Sequence, residues 1–184
     1  MTSRNAPAGR LGKPFFIEVI MSYSLPADAR GHMPNCGPTS VAVLAGVTVH
    51  KVMTWMRGNV GKPAKWKGST HNRMSDPSRG DCWQALEHFG LNPVFDADLN
   101  ERVRGCAIKT AAKALPTGKA YLIITGSHAQ AVVNGRVFDQ NSDGVDMSDY
   151  WGKNKKVFRV ITCDMTATPK RKVYKLILTR KSEV

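Results

Sequence analysis

Residues 128–139 read His-Ala-Gln-Ala-Val-Val-Asn-Gly-Arg-Val-Phe-Asp, and this stretch carries the clearest structural signal in the chain. An Asn-Gly pair between two runs rich in apolar residues is the strongest short signal for a two-residue β-turn. We therefore expect a β-hairpin with Asn134 and Gly135 at its turn.

The turn also predicts the pairing of the two strands. With the Asn-Gly pair as the turn, Val133 faces Arg136. Residues two apart in a strand point the same way, so the register predicts a polar face formed by His128, Gln130, Asp139 and Asn141. In this register Asn141 is directly opposite His128, and an amide and a carboxylate lie beside the imidazole.

Helical signals precede the hairpin, and strand signals flank it. The first predicted helix runs from Cys36 to Ala45, with Asn35 at its N-cap, Pro38 in its first turn and Gly46 after its end. Further predicted helices are 49–58 capped by Thr48, 82–89 capped by Asp81, 100–104 and 110–115. Further predicted strands are 15–20, 121–124, 157–162 and 173–178. Helices followed by an antiparallel sheet predict an α+β fold.

The chain has 184 residues, of which 42% are hydrophobic, so one domain with a packed core is expected. We expect residues 1–14 to form a flexible basic arm and residues 15–184 a single domain. No apolar run has the ~20 residues of a membrane-spanning helix. No signal-peptide pattern follows the basic start. These features predict a protein without a membrane span, located in the cytoplasm.

The net charge of +13 permits contact with an anionic partner, either nucleic acid or an acidic protein, or reflects a solvated surface. The basic residues are concentrated in the arm, in 62–79 and in 170–181. The four cysteines form no C-x-x-C pair, and the histidines show no H-x-x-x-H spacing. We therefore expect no metal and no cofactor, and reduced thiols.

Cys36 is the first candidate for chemistry. A cysteine reacts as the thiolate, and the unpaired N–H groups at the start of a helix stabilise that anion. An imidazolium nearby lowers the thiol pKa further. His128 is the candidate for that group, with Asp139 or, alternatively, Asn141 orienting its ring. The competing interpretation is that Cys36 is an ordinary buried thiol and His128 an ordinary residue at a strand end.

The segment Asn35-Cys36-Gly37-Pro38-Thr39-Ser40 resembles the nucleophile helix of papain-like cysteine peptidases, particularly the bacteriocin-processing branch. Residues 126–139 resemble a second block of that superfamily, which is also found in small phage-encoded members. This block runs from the histidine through a strand, a turn and a second strand to an aspartate. The resemblance implies a papain-like fold, with a helical half that carries the nucleophile followed by an antiparallel sheet. It also implies a Cys36-His128-Asp139 triad that transfers acyl groups from amide or isopeptide bonds of a peptide or protein substrate.

The superfamily usually places a glutamine several residues before the cysteine, where it stabilises the oxyanion. Here position 30 is Arg, and no glutamine lies nearby upstream. The replacement candidates are Asn35, the backbone N–H of Cys36 and His32. Two further classes of function remain open: a non-catalytic papain-like component, for example of a phage particle, and a basic nucleic-acid-binding protein. If the protein is phage-encoded, we expect it in the host cytoplasm or in the virion. The sequence does not predict its oligomeric state.

Overall fold

The computed structural model describes residues 23–29, 35–60, 80–126 and 128–164. The helices are α1 (Cys36–Ala45), α2 (Val49–Asn59), α3 (Asp81–His88), α4 (Ala97–Val103) and α5 (Ile108–Ala111). The strands are β1 (Ala120–Thr125), β2 (Ala129–Val133), β3 (Arg136–Asp139), β4 (Ser142–Asp146) and β5 (Val157–Cys163). The predicted arm, the strands predicted at 15–20 and 173–178, and the basic segment 62–79 lie outside the described residues.

The five strands form one antiparallel sheet in the order β4-β3-β2-β1-β5. Helices precede this sheet in the chain, so the prediction of an α+β fold is confirmed at that level. None of the helices in the described ranges has the length and apolar character needed to cross a membrane.

The sheet separates two hydrophobic clusters, because alternate residues of each strand point to opposite faces. On one face α1, α2 and α3 pack against residues such as Leu122, Ala131 and Phe138. On the other face α4, α5 and the segment after β4 pack against residues such as Ile123 and Val132. The chain therefore forms three layers, with the sheet in the middle.

Helix α1 is buried along its whole length, because it lies between the sheet and the other two helices of its layer. Gly46 ends the helix in the left-handed conformation, with φ 63°, and its N–H bonds to the last turn. Asn35 occupies the predicted N-cap position, but its side chain makes no capping hydrogen bond. The start of α1 therefore keeps N–H groups available around Cys36.

The predicted hairpin is confirmed. Val133 pairs with Arg136, and the turn residues Asn134 and Gly135 have φ of 49° and 75°. Positive φ at both positions is the type I′ geometry, whose twist matches that of the flanking strands.

The predicted position of Asn141 opposite His128 is wrong. Strand β3 ends at Asp139, which pairs with Ser142, so Asn141 lies in a second two-residue turn. Strand β4 is not predicted from the sequence, because its Ser-Asp-Gly-Val-Asp sequence has little β propensity. Pairing with β3, rather than local preference, holds this strand in place.

The predicted helix caps have mixed outcomes. Thr48 caps α2 as expected, because its side chain accepts a hydrogen bond from the N–H of Lys51. Asp81 is not a cap: Gly80 occupies that position, and Asp81 is the first helical residue. There its negative charge still interacts favourably with the helix dipole.

Residues 23–29 connect the helical layer to the edge of the sheet. The Asp28 carboxylate accepts hydrogen bonds from the N–H groups of Val49 and His50 at 3.0 and 2.8 Å, at the start of α2. The N–H of Leu25 donates to Asp143 of β4 at 2.8 Å. This segment therefore contacts both α2 and β4 shortly before the chain reaches α1.

We predict opposite effects of the same substitution at two glycines. Gly135→Ala should lower the free energy of unfolding by about 1 kcal/mol, because a side chain disfavours the left-handed conformation. Gly58→Ala, in the exposed part of α2, should raise it by about 0.5–1 kcal/mol. A Cβ at either position meets no atom within 4 Å, so backbone conformation alone separates them. Urea unfolding measures both, and a stabilising Gly135→Ala would contradict the assigned turn.

Candidate active site

The structure brings Cys36, His128 and Asp139 together at one end of the sheet. Cys36 is the first residue of α1, His128 immediately precedes β2, and Asp139 is the last residue of β3. The Cys36 thiol lies close enough to the His128 ring for hydrogen bonding and charge to shift the pKa of both groups. The Nε2 atom of His128 lies 2.7 Å from Oδ2 of Asp139. The three side chains therefore form a continuous array, with the imidazole between the thiol and the carboxylate.

The chain around His128 is held by a short turn between β1 and β2. The N–H of Thr125 donates to the carbonyl oxygen of His128 at 2.8 Å, and its hydroxyl donates to the same oxygen at 3.2 Å. His128 is 9% exposed and Cys36 is 7% exposed, so both residues have little contact with solvent. A carboxylate only accepts hydrogen bonds, so Nε2 carries a proton and leaves Nδ1 as the ring nitrogen that faces Cys36.

Burial opposes ionisation of the Cys36 thiol, but the groups that surround its sulfur outweigh this effect. The hydrogen bond and charge of His128 lower the pKa of Cys36 below that of an ordinary thiol. The backbone N–H groups of Ala129 and Gly37 add to this effect. Burial also opposes the charge on His128, yet its bonds to Asp139 and Cys36 raise its pKa to about 9. The two shifts together favour the thiolate–imidazolium pair over the pair of neutral groups.

Asp139 is fully buried, and three donors satisfy its carboxylate. His128 and the hydroxyl of Tyr150 both donate to Oδ2, the latter at 2.6 Å, and the backbone N–H of Asn141 donates to Oδ1 at 2.8 Å. Burial disfavours the anion, but these bonds, with that of His128 first, hold the pKa of Asp139 below its ordinary value. The prediction that Asp139 rather than Asn141 contacts the imidazole is confirmed.

Tyr150 is the member of this site that sequence reasoning missed. Its ring is completely buried, and the glycine two residues later is packed against it: a Cβ on Gly152 would lie 2.6 Å from Cε1 of the ring. Burial, followed by the bond to Asp139, raises the pKa of Tyr150 well above its ordinary value, so the hydroxyl stays protonated and donates. The Tyr-Trp-Gly sequence at 150–152 was the available signal, but it does not by itself indicate contact with Asp139.

Trp151 was also missed. Its indole packs edge-to-face on the His128 ring, with 5.6 Å between ring centroids, and is 53% exposed. An aromatic ring at this position limits the access of water to the imidazole from that side, and the resulting lower polarity strengthens the hydrogen bond between His128 and Asp139.

The other predicted site residues have different positions. Asn35 is fully buried and points its Nδ2 toward the carbonyl oxygen of Ala29 at 3.5 Å, while its Oδ1 has no partner in the described structure. Asn141 reaches the site through its backbone only. His32 lies outside the described residues. The described donors next to Cys36 are therefore the backbone N–H groups at the start of α1 and that of Ala129.

The remaining cysteines are separate from this array. Cys82, Cys106 and Cys163 form no disulfide among the described residues, and burial raises the pKa of Cys163 to about 12. Within the described ranges, His, Cys, Asp and Glu side chains form no group of three that could hold a metal ion.

No family model, no curated protein and no solved structure matches this chain.

Tyr150→Phe removes one of the three donors to the buried carboxylate. We expect it to lower the free energy of unfolding by about 1.5–3 kcal/mol, as for a buried hydrogen bond to a charged group. The pKa of Asp139, followed by NMR, should rise. The matched control is Tyr121→Phe, which removes a hydroxyl that donates to a neutral carbonyl at 2.7 Å. Equal losses of stability in the two variants would contradict an ionised Asp139.

Iodoacetamide at pH 7 should alkylate Cys36 faster than Cys106, because the thiolate is the reactive form. The comparison is stringent, since Cys106 is the more exposed thiol and its sulfur contacts only a backbone carbonyl at 3.6 Å. His128→Ala should slow the labelling of Cys36 and leave that of Cys106 unchanged. Mass mapping of the alkylated peptides over time gives both rates. Faster labelling of Cys106 would refute a lowered pKa at Cys36.

Proposed function

We propose that this protein is a papain-like cysteine hydrolase that cleaves amide or isopeptide bonds of peptides or proteins. The observation that supports this most directly is the array of Cys36, His128 and Asp139, which come from the start of α1, the residue before β2 and the end of β3. A helix-start thiol with an adjacent imidazole and a carboxylate behind it is the arrangement that nucleophilic acyl transfer requires.

In the first half of the reaction the Cys36 thiolate attacks the carbonyl carbon of the scissile bond. The carbon–sulfur bond forms as the carbonyl π electrons move to oxygen. The His128 imidazolium then gives its Nδ1 proton to the leaving nitrogen, the carbon–nitrogen bond breaks, and the amine departs. A thioester on Cys36 and a neutral imidazole remain.

In the second half, water replaces the amine. Neutral His128 takes a proton from the water as the oxygen attacks the thioester carbon, and the carbon–sulfur bond then breaks. The carboxylic acid leaves, and the thiolate–imidazolium pair is restored. Asp139 keeps its charge throughout and stabilises the imidazolium, with its own position held by Tyr150 and the N–H of Asn141.

Negative charge on the substrate oxygen needs hydrogen-bond donors. The backbone N–H of Cys36, at the start of α1, is the candidate that the described geometry favours, and the helix dipole has the correct sign there. Asn35 would need its amide to turn away from Ala29 to contribute. The site therefore relies on the helix start for both of its anionic groups, the thiolate and the oxyanion.

We predict that Cys36→Ala abolishes hydrolysis of a fluorescence-quenched peptide library and that Asp139→Ala lowers kcat/KM by about 10³–10⁴-fold. Asn141→Ala is the matched control: only its backbone contacts Asp139, so its effect should be far smaller. A larger loss in Asn141→Ala would assign the orienting role to the amide instead.

The same assay has an expected pH profile. The activity should fall as pH rises through about 9, where His128 loses its proton, and should fall at low pH where the Cys36 thiolate is protonated. Rapid labelling of Cys36 without any hydrolysis of the library would instead favour a non-catalytic papain-like component.

A further inference from the structure

A group of lysines beside the described site comes from segments that the sequence pattern did not single out. The N–H of Lys109 donates to the carbonyl oxygen of Lys153, and the N–H of Ile108 donates to that of Lys155, at 3.0 and 3.1 Å. Ala107 forms a bridge with Lys156. The fold thus brings residues 107–109 beside residues 153–156, and four lysines gather in one region.

This lysine region is continuous with the candidate active site. The ammonium group of Lys155 lies 4.2 Å from the centroid of the Trp151 ring, and the Trp151 ring contacts that of His128. Of the large hydrophobic residues exposed in the described structure, Trp151 is the one in ring contact with a site residue. A half-exposed aromatic surface and a positively charged group therefore lie directly beside the imidazole.

The positive charge in this region is not neutralised by the described structure. No ion pair involving Lys109, Lys153, Lys155 or Lys156 is found among the described residues. Lys153 and Lys155 are half-buried and Lys156 is exposed, so their charges face solvent without an acidic side chain bonded to them. Positive charge that is accessible, unpaired and adjacent to a site is complementary to an acidic ligand.

The chemistry of the proposed function decides which part of a substrate reaches this region. His128 must lie within hydrogen-bond reach of the leaving nitrogen, because it donates the proton that lets the amine depart. The residue that carries this nitrogen therefore lies beside the imidazole, where Trp151 and Lys155 are its neighbours. The apolar part of its side chain would then lie on the indole, and a terminal carboxylate would be placed near the ammonium group.

We infer that Trp151 and Lys155 form a subsite for an acidic residue, Glu or Asp, on the leaving-group side of the scissile bond, in the positive field of Lys153 and Lys156. This inference rests on the proposed function, since that function places the leaving group there. It names a substrate preference for bonds that precede an acidic residue.

Binding to the Cys36→Ala variant of the full chain tests the subsite without catalysis. The probes are the tripeptide amides Glu-Ala-Ala, Gln-Ala-Ala and Lys-Ala-Ala, which mimic the leaving amine. The readout is the NMR shift of the Trp151 indole N–H, assigned with Trp151→Phe. We expect the Glu peptide to bind up to roughly fivefold more tightly than the Lys peptide, in line with one exposed ion pair, and the difference to shrink at high salt.

Two charge-reversal substitutions, each added to the Cys36→Ala variant, test whether Lys155 is the source of the preference for the Glu peptide. Lys155→Glu should abolish or invert it. Lys119→Glu is the control, because it makes the same change of net charge and should leave the preference intact. Lys119 precedes Ala120 at the start of β1, whereas His128 is bound by Thr125 at the other end of that strand. Equal effects of the two reversals, or peptides that bind without regard to charge, would overturn the inference.

Two further outcomes separate the acidic-peptide subsite from nucleic-acid binding and from the proposed hydrolase activity. Binding of a single-stranded oligonucleotide that depends on Lys155, without any peptide preference, would overturn the acidic-peptide subsite in favour of nucleic acid. Selective binding of the Glu peptide by the Cys36→Ala variant, together with no Cys36-dependent hydrolysis by the unmodified chain, would support the subsite and refute the hydrolase.

Discussion

The buried charge of Asp139 is the constraint on which the rest of this site depends. Taking a carboxylate out of water costs several kcal/mol unless its oxygens are hydrogen-bonded. Here an imidazole, a phenol and a backbone N–H supply these bonds, and they come from the start of β2, the segment after β4 and the turn after β3. Each of these segments must reach its place before the charge is satisfied, so the carboxylate couples their positions to one another.

Local signals account for what the sequence predicted correctly. The Asn134-Gly135 pair specifies a turn through its own backbone preferences, and α1 begins and ends at residues whose local chemistry marks helix boundaries. Cys36 and His128 could be singled out because each stands at the start of such an element. These are features that a few consecutive residues encode without help from the rest of the chain.

The remaining features depend on contacts between distant segments. Strand β4 has a polar, glycine-containing sequence, and it becomes a strand because β3 offers it a partner. Once Asn141 is used in the turn between them, the simple continuation of the hairpin register no longer holds. Tyr150 shows the same limit: its hydroxyl is 11 residues from Asp139 in the chain, and no local pattern indicates that a tyrosine will donate to that carboxylate.

The segment 23–29 has a consequence for how sequence variation would affect this protein. Asp143 is exposed and Asp28 is only partly buried, so both look like ordinary surface positions. However, Asp143 of β4 binds the N–H of Leu25, and Asp28 binds the start of α2. Segment 23–29 therefore joins β4, the neighbour of the strand that ends at Asp139, to the helical layer that contains Cys36. A displacement of about 1 Å between reacting groups is enough to cost ~10²-fold in rate. In the proposed hydrolase, substitutions at such surface positions would therefore lower the reaction rate with little change in stability, and a survey ranked by burial would overlook them.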